Sequence, residues 1–294
     1  MRAAVAAALA LVAAAAFTAC SAPAAAKHPV ASYYLALGDS LSRGVQPDAD
    51  GASVETTQGY PDLVYAQLRR GHPGLRLVQL GCPGETTQTM MHGGICRYRG
   101  GSQLAAAAAF ARAHRGHLLL ITIDIGANDP EHCGGQPGLA ALASCIGQVP
   151  GAAANLTAIL ARLRAAAGTG ARIVGMSYYL PELAEWRDGP LGQVLAWASE
   201  RLAVDYNGML DRAYAQAGIA VANVLGAFDT TNFGDPVMVP GFGVLPRNVA
   251  RICEWTWECA PRPRGPNQHA NPAGYRVIAG AVVKAAGLDP SARA

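Results

Sequence analysis

Four short segments of the chain carry side chains able to do nucleophilic chemistry, three just after apolar strand-like runs and one just before the last helix. They are Gly38-Asp39-Ser40-Leu41-Ser42, Leu80-Gly81-Cys82-Pro83-Gly84-Glu85-Thr86-Thr87, Gly126-Ala127-Asn128-Asp129 and Gly265-Pro266-Asn267-Gln268-His269. A serine becomes a nucleophile when a histidine takes its proton, and acyl transfer also needs fixed donors for the oxyanion of the tetrahedral intermediate. Ser40 and His269 supply the nucleophile and the base. The backbone N–H groups of Ser40 and Gly81, with the side-chain amide of Asn128, would supply the donors. Gly81 has no Cβ to hold a carbonyl oxygen away from its N–H, and the neutral amide of Asn128 donates without changing protonation state. Singly, each residue also has a plain structural reading in a turn, a strand end or a cap.

The neighbours of these residues read as structural. Ser42 lies further into the loop than Ser40 and shapes the turn, while Asp39 and Asp129 read as loop and cap carboxylates that position backbone. His92, His114, His117 and His132 have no partner spacing and read as surface or packing residues. No Cys-x-x-Cys pair or His-Glu-x-x-His helix suggests zinc, and no cofactor is implied.

The elements that must hold the four segments alternate between strand and helix. Tyr33–Leu37 reads as a strand, about Pro61–Arg70 as a helix and Leu75–Leu80 as a strand. Ser102–Ala113 is an alanine-rich helix, and the continuous apolar run His117–Ile125 fits a central parallel strand covered on both faces. Leu156, Ile159, Leu160 and Leu163 keep helical spacing before the strand Ala171–Met176. Leu191, Val194, Leu195, Ala198 and Leu202 do the same in a long helix before the strand Ile219–Asn223, and both sets predict core-facing stripes. Ala227–Gln268 lacks periodicity and reads as a functional or disulfide-stapled loop. Asn271 is a suitable N-cap for the helix Pro272–Ala286, with Pro272 at its first position. The expected fold is one α/β domain, three layers deep, with a mostly parallel five-stranded sheet. Ligand sites in such sheets lie beyond the carboxyl ends of the strands, where Ser40, Gly81 and Asn128 fall.

The chain has 294 residues, is 51% hydrophobic and carries a formal charge of +3, with Lys27 and Lys284 its only lysines. That composition favours a large buried core and offers no basic stripe for nucleic acid. Arg2, the apolar run Ala3–Phe17 and the small residues after it predict an export signal over residues 1–20. Thr18-Ala19-Cys20 resembles the bacterial lipobox, which implies lipidation of Cys20 and a lipid anchor to the membrane. Residues 21–30 read as a flexible tether, and residues 31–294 as the domain. Of seven cysteines, removing Cys20 leaves an even set suited to an oxidising compartment. Locality pairs Cys82 with Cys96, Cys133 with Cys145 and Cys253 with Cys259.

Together the four segments resemble the blocks of the GDSL or SGNH hydrolase family, which contribute in order a serine, a glycine, an asparagine and a histidine. They map onto Ser40, Gly81, Asn128 and His269, and the resemblance runs from about Ser32 to Gly287. The cysteine-containing second block and the Cys253–Cys259 segment look most like actinobacterial secreted esterases of this family. The resemblance implies a flavodoxin-like α/β/α fold and an exported serine ester hydrolase working through an acyl-enzyme, with a small-molecule or lipid ester as substrate. Acyl transfer to a sugar or lipid acceptor, and a non-catalytic surface lipoprotein, are the competing functions. The family's histidine block usually places an aspartate three residues before the histidine, where this chain has Pro266. The orienting group would then be absent, a distant Asp235, Glu254 or Glu258, or a main-chain carbonyl, for which that of Pro266 or its neighbour is favoured. Trp255 and Trp257 would form either a wall of an acyl or aryl pocket or a small satellite core. Tyr178 and Tyr179 would line the cleft or simply pack.

Overall fold

The computed structural model describes residues 31–131 and 139–288. The export segment with Cys20, His132, and Cys133 of the expected Cys133–Cys145 pair lie outside them. Along the chain come β1 (Ser32–Gly38), the short antiparallel pair β2 (Gln46–Pro47) and β3 (Ser53–Val54), α1 (Tyr60–Leu68), β4 (Leu75–Gln79), α2 (Thr87–His92), α3 (Gln103–Ala113) and β5 (Leu118–Asp124). Then follow α4 (Asn128–Glu131), α5 (Leu139–Ala167), β6 (Arg172–Met176), α6 (Gly189–Gln216) and β7 (Ala220–Ala222). The chain continues through α7 (Val224–Ala227), the hairpin of β8 (Val237–Val239) and β9 (Gly243–Leu245), α8 (Arg247–Trp255) and α9 (Pro272–Ala286). Two 3₁₀ segments matter for the site: Leu41–Arg43 after β1 and Pro181–Asp188 before α6.

β1, β4, β5, β6 and β7 form one parallel sheet in the order β4-β1-β5-β6-β7. Helices α1 and α9 pack together on one face; α3, α5 and α6 pack in succession on the other. The expected α/β/α domain is the observed one, and β5 is its central strand. All residues of β5 except Leu119 are buried, as its unbroken apolar run requires. The chain passes from β1 to β4 on one side, then crosses to β5 on the other. The crevice between the carboxyl ends of β1 and β5 is therefore the topological switch point of the sheet.

Local signals explain where the elements stop. Asn271 caps α9 by accepting from the N–H groups of Ala273 (2.9 Å) and Gly274 (3.1 Å), and Gly287 closes that helix in the left-handed conformation. The disulfides Cys82–Cys96 and Cys253–Cys259 form as locality suggests. Two expectations need correction. Ala227–Gln268 is not a plain loop, for it contains the β8–β9 hairpin and α8. The stripe Leu191, Val194 and Leu195 does not face the core; α6 instead buries Gly192, Ala196, Asn207, Leu210 and Tyr214. Helical spacing identifies a stripe but not its partner, and here small and polar residues let α6 approach its neighbours closely.

That close approach reaches the sheet at Gly175 in β6, where an added Cβ would lie 2.3 Å from the ring of the fully buried Tyr214. Gly175→Ala should therefore lower stability by about 1–3 kcal/mol through overpacking, read as a lower denaturant midpoint with an unchanged slope. An unaltered midpoint would mean that the ring has room to move.

Candidate active site

The turn after β1 begins at Gly38, whose φ is 132° and whose absent Cβ would stand 2.1 Å from the backbone oxygen of Asp124. Only glycine fits there. Buried Gln103, the first residue of α3, clamps it from both sides: Oε1 accepts from the Gly38 N–H at 2.7 Å, and Nε2 donates to the Gly38 carbonyl at 2.9 Å. The next N–H groups are held in turn. Asp39 N donates to the Asp124 carbonyl (3.1 Å), Leu41 N to Asp39 Oδ1 (2.9 Å) and Ser42 N to Asp124 Oδ2 (3.1 Å). The Ser40 N–H stands outside this set, at the cleft. Ser42 is fully buried and donates its hydroxyl to the Asp39 carbonyl at 2.7 Å, which gives it the turn-shaping role expected of it. Gly81 packs against that serine, where a Cβ would lie 1.7 Å from Ser42 Oγ. Its missing side chain is thus required by packing, a reason apart from the approach of a carbonyl oxygen.

Asp39 and Asp124 are both buried and hydrogen-bonded to each other beneath Ser40. Burial first, and the charge of Asp39 second, push the Asp124 carboxyl well above the usual carboxylate range. A buried carboxyl beside a second one is hard to ionise, so Asp124 holds its proton above the usual carboxylate range. Neutral phenols complete the shell: Tyr60 donates to Asp124 Oδ1 and Tyr178 to Asp39 Oδ2, the latter at 3.1 Å. The folded chain keeps this proton at pH values where the unfolded chain has released it, so this group's contribution to stability declines as pH rises above about 4. Asp124→Asn, uncharged at every pH, should flatten the fall in melting temperature between pH 4.5 and 8. Parallel curves for parent and variant would show that no proton is held.

Asn128, at the start of α4, donates one amide hydrogen to the Glu85 carbonyl at 2.9 Å. Asp129 accepts from the backbone N–H (2.8 Å) and the hydroxyl of Thr87, at the first turn of α2, and so acts as the structural carboxylate expected. His114 packs with Tyr33 and Phe110, and His117 Nδ1 meets the Ala31 carbonyl.

The partner of His269 differs from the one expected. Its Nδ1 lies 2.9 Å from the side-chain oxygen of Asn267, not against the Pro266 carbonyl. The same oxygen accepts from the His269 backbone N–H at 3.0 Å, and the Asn267 amide nitrogen donates to Ser53 Oγ at 3.1 Å. A backbone N–H can only donate, so the amide orientation is fixed and Nδ1 must carry the ring hydrogen. Nε2 is then the basic nitrogen. Burial lowers the His269 pKa to about 4, leaving the ring neutral in mildly acidic and neutral solution. The distant acids are engaged elsewhere or carry no bond to the ring: Asp235 meets Arg247 at 3.7 Å and Glu254 meets Arg251 at 2.9 Å, while Glu258 is half-buried with its pKa raised by desolvation. An asparagine whose side chain bonds the N–H two residues on is an Asx-turn, a local signal legible in Asn267-Gln268-His269, and the neutral acceptor it supplies is a side-chain carbonyl in place of the expected main-chain one.

The tryptophan segment buttresses this loop. Trp257 N donates to the His269 carbonyl (3.0 Å), Asn267 N to the Trp257 carbonyl (3.3 Å) and Asn271 N to the Trp255 carbonyl (2.9 Å). Trp255 packs edge-on against Phe228 at the margin of the main core, Trp257 donates its indole N–H to Gln46 Oε1 at 3.4 Å, and neither indole lines the cleft, so the two form neither a pocket wall nor a separate satellite core.

A cleft of about 670 Å³ brings Ser40, Asn128 and His269 together; Gly81 is not on its lining. Tyr178 and Tyr179, after β6, form one wall, and α6 forms another with Leu202, Tyr206 and Met209. The Tyr179 hydroxyl donates to the Gln268 carbonyl at 2.9 Å, tying the wall to the histidine loop. A nucleophile, a neutral base with a fixed tautomer, and amide donors along one apolar trough can perform acyl transfer.

The profile of the GDSL-like lipase/acylhydrolase family matches residues 36–277. No curated protein sequence matches the chain. Among solved structures, the acetylxylan esterase Axe2 from Geobacillus stearothermophilus is similar with a TM-score of 0.55 and 16% identity, over 89% of this chain and 98% of that one. LAE5, an alpha/beta hydrolase enzyme from the metagenome of Lake Arreo, Spain, is similar with a TM-score of 0.51 and 19% identity, over 87% and 95%. At such identities the likeness concerns the fold. The family match spans every block of the site, and the chain belongs to the GDSL-like lipase/acylhydrolase family of serine-type ester hydrolases.

Proposed function

We propose that the chain is an exported hydrolase of carboxylic esters in which Ser40 is the nucleophile and His269 the base. The observation that carries this reading is the bond from His269 Nδ1–H to Asn267, on a ring that shares one cleft with Ser40 and Asn128. Nε2 accepts the Ser40 proton as Oγ bonds to the ester carbonyl carbon. The carbonyl oxygen takes the negative charge and meets the Ser40 N–H and the Asn128 amide. The family resemblance adds the Gly81 N–H as a third donor. Collapse of the intermediate breaks the ester C–O bond, and the imidazolium returns its proton to the leaving alcohol. Water then repeats the sequence on the acyl-enzyme and releases the acid.

Export is part of the proposal, supported by the charged and apolar leader and by the disulfides Cys82–Cys96 and Cys253–Cys259. Lipidation at Cys20 would tether the domain through residues 21–30. Among the described residues no helix is long and apolar enough to cross a membrane. The likeness of the cysteine-bearing blocks to actinobacterial secreted esterases also belongs to this reading.

Hydrolysis of p-nitrophenyl esters by the exported protein tests the assignment, with Ser40→Ala expected to lower kcat by at least about a thousandfold. Undiminished activity in that variant would refute it. The parent kcat/KM should fall as pH drops through about 4, where His269 gains a proton. Asn267→Asp places a negative charge beside Nδ1, favours the imidazolium and should move that acid limb upward by about one pH unit or more. An unmoved limb would mean that Asn267 does not orient the base.

A further inference from the structure

Helix α6 carries two apolar faces where one is usual. The buried face follows Gly192, Ala196, Asn207, Leu210 and Tyr214. About a third of a turn around the helix, Leu191, Val194 and Leu195 stand 71%, 63% and 45% exposed. Their spacing continues through Ala198 and Leu202 to Tyr206 and Met209, and the last residues of the series line the cleft. At ~1.5 Å per residue the stripe is about 27 Å long. An outer helix face is ordinarily polar, so this one exposes at one end what it uses at the other to wall the site. A second exposed apolar pair, Met238 and Val244, sits opposite one another on the β8–β9 hairpin. The turn of that hairpin is held to the segment preceding α6 by Phe242 beneath the Arg187 guanidinium.

We propose that the Leu191–Leu195 end of α6 docks on the surface of an aggregated lipid ester and guides its acyl chain along the stripe into the cleft. The proposal rests on Ser40 being the nucleophile of that cleft. Continuity decides the occupant: the exposed residues lie on the same helix stripe as Leu202 and Met209, so an apolar chain covering one end extends into the other. Charge decides the kind of surface. Glu182, Asp205 and Arg212 stand beside the cleft end of the stripe, and Arg187 and Asp188 precede its exposed end; this mix of signs suits an uncharged or zwitterionic surface better than an anionic one. An acetyl group alone would leave most of a 670 Å³ trough unfilled.

The test uses the exported protein carrying Cys20→Ser, so that no attached lipid contributes, and phosphatidylcholine vesicles as the surface. In a Ser40→Ala background, which is catalytically silent, flotation should show vesicle binding that falls at least tenfold on Leu191→Ser, Val194→Ser and Leu195→Ser together. With Ser40 restored, the triple variant should hydrolyse soluble p-nitrophenyl acetate within twofold of the parent, but p-nitrophenyl decanoate held in the vesicles about tenfold more slowly. Val194→Gln alone, expected to show the same effects in smaller measure, serves if the triple variant fails to fold. Equal vesicle binding by parent and variant overturns the proposal, as does self-association that the substitutions abolish without any change in vesicle binding. Because the binding assay needs no catalysis, its failure is separable from failure of the Ser40 assignment, which the acetate assay reads.

Discussion

The site depends on the contact between two buried carboxyls. Asp39 belongs to the turn that presents Ser40, and Asp124 to the end of the central strand. Their contact joins the two strands that flank the switch point. Asp124 takes the N–H of Ser42, and Asp39 takes that of Leu41. With both carboxyls charged, repulsion in a dry interior would drive apart the groups that fix the serine; with one proton retained, they become a rigid hydrogen-bonded brace. Gly38 is forced by the same contact, since any side chain there would strike Asp124. The backbone geometry of the nucleophile thus follows from where the sheet reverses its strand order.

Much of this was legible in the sequence, because strand ends and site blocks coincide. The apolar run through β5 marked the central strand, and Ser40 and Asn128 fell just beyond the ends of β1 and β5. Asp124 also left a trace, as the one acid within the apolar run His117–Ile125, but its meaning required the neighbour across the sheet. Asn267 was in plain view, but the expected acceptors were carboxylates and main-chain carbonyls. What a histidine needs at Nδ1 is an acceptor, and an Asx-turn supplies one with no anion. The face of α6 was misjudged because apolar periodicity is silent about whether core or solvent lies opposite it.

The histidine loop shows how an aperiodic stretch can still be well determined. The short Cys253–Cys259 loop sets Trp257 opposite His269, and the backbone bonds between the segments do the positioning. Gly265 and Gly274 permit the close approach, since side chains there would meet the carbonyls of Ala260 and Trp255. None of these pairings has a sequence period, and so none could be read before the chain was folded.

A neutral amide behind the imidazole changes where charge is balanced during the reaction. With a carboxylate in that place, the imidazolium has a permanent counter-ion on its far side. In the proposed reaction the ring's charge finds its nearest new opposite in the oxyanion, so the intermediate carries an internal zwitterion. Attraction within a zwitterion grows as water leaves. An acyl chain that fills the trough would then strengthen the very charge pair that its own ester generates, and the site borrows from its substrate the low-dielectric medium it does not wholly build for itself.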